Sequence, residues 1–182
     1  MKYIISVLCP DKPGVVYNLS TAVCENKGNI IDMTQNVIRG FFTGVLYAIF
    51  DEEVNIEKLK GDINKDGTYT VDVVPYEKNP FVPKVQEKYI LTLSGNEHKG
   101  IISGITDYLY KRNINIDSIS ATSDEKQFLI VASISLIGSK DALQIKKDIK
   151  ALGEKWNITV HLSHENIFLA TNTVCPTVRL EK

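Results

Sequence analysis

Residues 3–26 read YIISVLCPDKPGVVYNLSTAVCEN, and the change of period inside this stretch decides the fold. Tyr3, Ile5 and Val7 alternate with Lys2, Ile4 and Ser6, the pattern of a strand with one apolar face. Beyond Gly14 the apolar positions become Val15, Val16, Leu19, Ala22 and Val23, the stripe of an amphipathic helix. The switch passes through Asp11-Lys12-Pro13-Gly14. Pro13 suits a first helical turn, where its missing N–H is no loss, and Gly14 lets the backbone approach something closely. Lys27-Gly28 ends the helix near Asn26, with Gly28 available for a left-handed cap. A helix start leaves free N–H groups and a partial positive charge, a seat for a small anion such as a carboxylate. The simpler alternative is that Asp11 merely caps the helix.

The whole unit occurs twice. A shift of 86 positions aligns Tyr3 with Tyr89, Gly14 with Gly100, Asn29 with Asn115, Ile30 with Ile116, Phe42 with Phe128 and Val45 with Val131, without a gap from Tyr3 to Phe50. A period of this length is a duplicated domain and not a solenoid. In the first copy Asn29–Val37 reads as a strand turning at Arg39-Gly40. Phe42, Gly44, Leu46, Ala48 and Phe50 form one face of the next strand. A weaker helix lies within 51–66, with Val54, Ile56, Leu59 and Ile63 as its stripe; Asp66-Gly67 is a turn, and Tyr69, Val71 and Val73 mark a last strand. The second copy runs Tyr89–Ser94, the helix Gly100–Arg112, Ile116–Thr122, Gln127–Ile137, the helix Lys140–Trp156 and Ile158–Ser163. Leu143, Ile145, Ile149, Leu152 and Trp156 are the stripe of its last helix, and Ile167–Ala170 reads as a further edge strand.

The order βαββαβ, twice, predicts an α+β chain of two ferredoxin-like sandwiches, each four antiparallel strands with two helices on one face. The expected division is 1–75, a Pro-rich linker 76–88, a second domain 89–170 and a tail 171–182. Ile4, Val45, Tyr47 and Ile49 make the helix-free face of the first copy too apolar for bulk water, which predicts packing on another copy or chain.

A net charge of −1 gives no general attraction to nucleic acid or acidic membranes. Cys9, Cys24 and Cys175 are an odd, scattered set, which argues for a reducing compartment and against a disulfide frame or zinc site. No run reaches membrane-spanning length and the N-terminus does not read as a signal peptide, so the expected location is the cytoplasm, with no membrane partner and no cofactor.

The element order, the Asp11-Lys12-Pro13-Gly14 loop and the Asn29-Ile30 pair after the helix together resemble an ACT domain, a small amino-acid-sensing regulatory module. The stretch Gly28-Asn29-Ile30-Ile31-Asp32-Met33-Thr34-Gln35, followed by Phe41-Phe42, is similar to the branch containing the glycine cleavage system transcriptional repressor and related tandem ACT proteins. The resemblance implies a non-catalytic protein that binds a small amino acid, glycine or serine, between modules, acts through a protein partner and forms a homo-oligomer. It implies a ligand held by Asp11, Lys12, Pro13, Gly14, Val15 and Val16, with Asn29 and Ile30 facing them from a partner module. The second loop departs from the pattern, Glu97-His98-Lys99-Gly100-Ile101, and implies a weaker site. Asn115-Ile116 is retained, so the expectation is one good site per chain, built from Asp11–Val16 and Asn115–Ile116.

Three rival readings fail on particular residues. Arg39-Gly40-Phe41 matches the opening of an RNA-recognition signature, but Phe42, Thr43 and Gly44 break it and Gln127 and Leu129 supply no rings in the second copy. An acylphosphatase-like enzyme needs a loop arginine where Lys12 and His98 stand. His161, His164 and Glu165 suggest a metal, but residues three apart on a strand point to opposite faces and no further ligand is near. The closest functional competitor is a regulatory subunit of an amino-acid biosynthetic enzyme. Direct DNA binding is not expected, since no helix-turn-helix or basic stripe remains.

Overall fold

Alternating apolar residues become strands and the 3.6-period stripes become helices in both halves of the computed structural model, which describes residues 1–78, 85–97, 99–124, 126–137 and 141–172. The chain divides into units Met1–Pro80 and Phe81–Lys182. The first contains β1 (Lys2–Pro10), α1 (Val15–Glu25), β2 (Gly28–Ile38), β3 (Phe41–Phe50), α2 (Ile56–Ile63) and β4 (Thr70–Pro75). The second contains β5 (Val85–Asn96), α3 (Ile101–Lys111), β6 (Asn115–Ser123), β7 (Gln127–Ile137), α4 (Ala142–Trp156), β8 (Ile158–His164) and α5 (Glu165–Asn172). The sheets run β2-β3-β1-β4 and β6-β7-β5-β8, antiparallel throughout. These are the two ferredoxin-like sandwiches that the repeat requires.

Burial explains the layers. Tyr3, Ile5, Val7 and Cys9 of β1, with Phe42, Leu46, Ala48 and Phe50 of β3, form one core with Val15, Leu19 and Val23 of α1 and Leu59 and Ile63 of α2. Both helices therefore cover the same sheet face. The second unit repeats this with Leu91, Leu93, Phe128, Ile130 and Ile134 under Ile101, Ile105, Leu109, Ile145 and Ile149. On the helix-free face of the first unit Val45 is 49% exposed, and Leu8, Phe41 and Val74 also lie open.

A carboxylate joins the two helices in each unit. Asp62 accepts from Asn26 Nδ2 and Lys58 Nζ, both at 2.8 Å, and these partners hold its carboxyl below the usual range. At the matching place Asp148 accepts from Gln144 Nε2 at 2.7 Å, Arg112 Nη2 at 2.8 Å and the Tyr108 hydroxyl at 3.1 Å. Arg112 also stacks 4.0 Å over the Tyr108 ring. Burial pushes the Tyr108 hydroxyl up to about 12. The cation comes from the second helix in one unit and from the first helix in the other.

Several expectations need correction. Gly28 does not adopt a left-handed conformation; Lys27 does, at φ 59°, as does Asn113 at φ 51° in the second copy. Gly28 is needed for space, because a Cβ there would meet Phe50 Cε1 at 2.5 Å. Leu143 is 72% exposed and not part of the stripe. It lies two residues from Ile145, and helix residues two apart cannot share a face. Asp141 caps α4 by accepting from Leu143 N and Gln144 N, so the helix begins at Ala142; Lys140 lies outside the described residues. Asn55 caps α2 through Lys58 N at 3.0 Å, which shortens that helix to Ile56–Ile63. The segment read as an edge strand, Ile167–Ala170, is part of the helix α5. His164 Nδ1 accepts from Asn166 N at 3.3 Å where the chain leaves β8, and Glu165 sits favourably in the first helical turn. Within the stretch read as linker, β5 already begins at Val85 and pairs with β7, while 79–84 lie outside the described residues, as do 173–182 of the tail.

Gly28→Ala should destabilise the first unit by about 1–3 kcal/mol through overpacking against the buried Phe50 ring. In a double-mutant cycle with Phe50→Leu, chemical denaturation should find the two costs clearly non-additive, since the smaller side chain relieves the clash.

Candidate functional site

The loop after β1 is built by one backbone requirement. Gly14 has φ 95° and Gly100 has φ 97°, and each stands immediately before its helix. Nothing lies within 4 Å of a Cβ at Gly14, so glycine is there for its conformation and not for room. Asp11 N donates to Gly40 O at 2.8 Å, and Glu97 N donates to Lys126 O at 2.8 Å, fastening each loop to the turn of the neighbouring hairpin. Among the described residues no side chain caps either helix start, so Asp11 does not cap α1. In α1 the first amide, Val15 N, reaches back to Lys12 O at 3.4 Å, and among the described residues no side chain takes the amides of Val16 and Tyr17. Among the described residues the Asp11 carboxylate has no ion pair.

The remaining loop residues divide by environment. Asp11, Lys12, Pro13 and Gly14 are exposed, and Val16 is 45% exposed. Val15 and Ile101 are buried in their cores, so only their main chains face the loop. Lys12 is engaged with Asp66 in a short ion pair and lies 5.4 Å over the Tyr69 ring. Asp66 also accepts from Thr68 N at 3.1 Å and Thr68 Oγ1 at 2.8 Å. The Lys12 ammonium, followed by Thr68, lowers the Asp66 carboxyl to about 2, and Asp66 raises Lys12. Cys9, just before the loop, is buried; desolvation pushes its thiol up despite the nearby Lys12 charge, which suits a core filler rather than a nucleophile.

Asn29 and Asn115 are exposed, while Ile30 and Ile116 are partly buried against their cores. Within a unit, this pair and the loop lie at opposite ends of the sheet. Asn29 pairs with Ile49, which pairs with Lys2, whereas Pro10 at the loop pairs with Phe41. Eight residues of strand separate the ends, roughly 26 Å. No single unit can bring its own loop and its own Asn-Ile pair to one ligand. The Asn115 amide donates to Asp117 Oδ1 at 2.7 Å.

In the second loop Glu97, Lys99 and Gly100 are exposed, and His98 lies outside the described residues. Ser103 Oγ donates to Gly100 O at 3.0 Å, and Gly104 N closes the first helical bond at 2.8 Å. The position that Asp66 takes in the first unit is held here by Leu152, inside α4.

The family model for the ACT domain matches residues 89–154. A UPF0237 protein of Streptococcus mutans is 30% identical over 87 residues, which is 48% of this chain and 99% of that protein. The chain belongs to the ACT-domain family. A UPF0237 protein of Methanocaldococcus jannaschii is 29% identical over 82 residues, covering 44% of this chain and 91% of the relative. The tandem ACT architecture recurs in a solved protein of unknown function from Galdieria sulphuraria, with a TM-score of 0.73 at 14% identity, covering 90% of this chain and 97% of that one. It recurs also in a candidate glycine cleavage system transcriptional repressor, with a TM-score of 0.65 at 17% identity, covering 90% and 96%. At these identities the two structures establish the shared fold. The ACT modules of this chain thus have a regulatory fold. Among the described residues no helix is long and apolar enough to cross a membrane, and no group of three His, Cys, Asp or Glu residues is placed to hold a metal ion.

The sequence missed Asp66, Asp117 and Ser135. Asp66-Gly67 was legible only as a turn, and nothing in the chain order pointed to Lys12. Asp117 and Ser135 are brought together by a β-bulge that periodicity does not announce.

The Asp66 carboxyl should titrate near 2 by NMR, below the ordinary 3.8. Its folded value is depressed, so the stability it adds is fully present above about pH 4 and is lost as pH falls toward 2. Asp66→Asn should flatten the stability–pH curve across that window.

Proposed function

We propose that this ACT protein is a non-catalytic cytoplasmic regulator. It binds a small amino acid, glycine or serine, between the β1–α1 loop of one module and the strand start after the first helix of another. The observation that carries the reading is the exposed start of α1 at Gly14, without a side-chain cap, in the same loop as the exposed Asp11. Main-chain amides there suit the ligand's carboxylate and Asp11 suits its ammonium, while an Asn amide from the facing module both donates and accepts. The opposite-end placement of loop and Asn-Ile pair within a unit supports a two-module site. Lys12, held by Asp66, positions the loop instead of contacting the ligand.

The output follows from linkage. A ligand touching two modules favours the arrangement in which both walls are present, and shifts that equilibrium by its differential affinity alone. The change passes to a protein partner, with regulation of glycine cleavage or related amino-acid metabolism as the proposed pathway. The open apolar sheet face of the first unit supports a homo-oligomer.

Calorimetric titration of the full chain with glycine and the other amino acids tests the reading. Saturable binding is expected, weakened about 10–100-fold by Asp11→Ala, because a charge-assisted hydrogen bond is worth about 1.5–3 kcal/mol. Asn115→Ala should weaken it as well. The absence of saturable binding by any amino acid would remove the proposal.

A further inference from the structure

We infer that the bulged start of β6 is a specificity wall: Asp117, backed by Ser135 and Asn115, selects amino acids with a side-chain hydroxyl over their alkyl counterparts. The inference deepens the proposed function and rests on its two-module site.

Both units break register at the same place, between Ile30 and Asp32 on β2 and between Ile116 and Ser118 on β6. The bulge residues are Ile31, 54% exposed, and Asp117. The cross-strand partner of each preceding Asn also differs: Asn29 stands opposite Ile49, and Asn115 opposite Ser135. One wall is therefore alkyl at the two positions where the other is polar.

The polar wall is a connected group. Ser135, the buried polar residue among those described, gives its hydroxyl to Asp117 Oδ2 in a short hydrogen bond. Asn115 Nδ2 reaches Oδ1 at 2.7 Å, and Lys88 Nζ stands 3.9 Å from Oδ2. A carboxylate offers about four acceptor positions, so these partners leave capacity on Asp117, whose side chain is 26% exposed. A ligand hydroxyl enclosed against this wall gains an acceptor. An alkyl ligand of the same shape would strip water from the carboxylate and return nothing. At Ile31 and Ile49 the preference inverts, because a hydroxyl there has no partner and an alkyl group has an apolar surface.

Calorimetry on the full chain compares the near-isosteric pair L-threonine and L-valine, and L-serine with L-alanine. The hydroxylated member of each pair should bind about tenfold more tightly. In Asp117→Ile/Ser135→Ile, which installs the residues of the first unit, the ratio should fall to about one or invert, with circular dichroism reporting retained fold. Should that variant not fold, the ratios in the unaltered chain and in Asp117→Ala decide the matter. Equal binding within both pairs, or a ratio indifferent to Asp117, overturns the inference while leaving the amino-acid site standing. Binding of no amino acid, or binding indifferent to Asp11→Ala, removes the underlying site and the inference with it.

Discussion

A strand that must reverse at once into a helix over its own sheet face has few backbone routes, and here both units take the one through a left-handed glycine. Gly14 and Gly100 adopt nearly the same φ, 95° and 97°. An L-residue with a side chain pays a steric penalty there that glycine avoids. The loop is then fixed from behind by a main-chain bond to the adjoining turn, from Asp11 to Gly40 and from Glu97 to Lys126. With the exit angle set, Val15 and Ile101 drop into their cores, and among the described residues no side chain caps either helix. The folding constraint and the exposed helix start are one feature.

Much of this was legible because it is periodic. The stripe from Val15 to Val23, the alternation from Tyr3 to Cys9 and the duplication that repeats both are read directly from residue order and build the cores, except for Val16, which lies exposed. What escaped was non-local or depended on single-residue offsets. Leu143 looked like core because it is apolar and near the stripe, yet the Asp141 cap sets the helix phase and turns it outward. Gly28 matters for its missing Cβ and not for its φ, which only the position of Phe50 reveals. The Lys12–Asp66 pair joins residues 54 apart in sequence, with no pattern connecting them.

The two ACT modules show how a duplicate keeps its backbone while its side chains are reassigned. At the position of Asn18, whose amide meets the Tyr69 hydroxyl at 3.3 Å, the second unit has Gly104, with Trp156 filling the space. At the bulge Ile31 is replaced by Asp117, and the cross-strand partner of the preceding Asn changes from Ile49 to Ser135. In the second unit the exchanged residues meet, Trp156 against Gly104 and the Ser135 hydroxyl on Asp117. The helix-free faces drift the same way: the first unit carries Tyr47 and Ile49 where the second carries Ser133 and Ser135.

The carboxylate joining the helices sets a barrier between the halves. Asp62 is neutralised by Lys58 with an amide from Asn26, and Asp148 by Arg112 with an amide from Gln144. A gene-conversion tract that copied α1 over α3 would surround Asp148 with two amides and no cation. The opposite tract would crowd arginine and lysine onto Asp62. Either chimera mismatches a carboxylate at a helix–helix joint, so the first two elements of one copy do not fit the last helix of the other, and each pair of helices is matched only to itself.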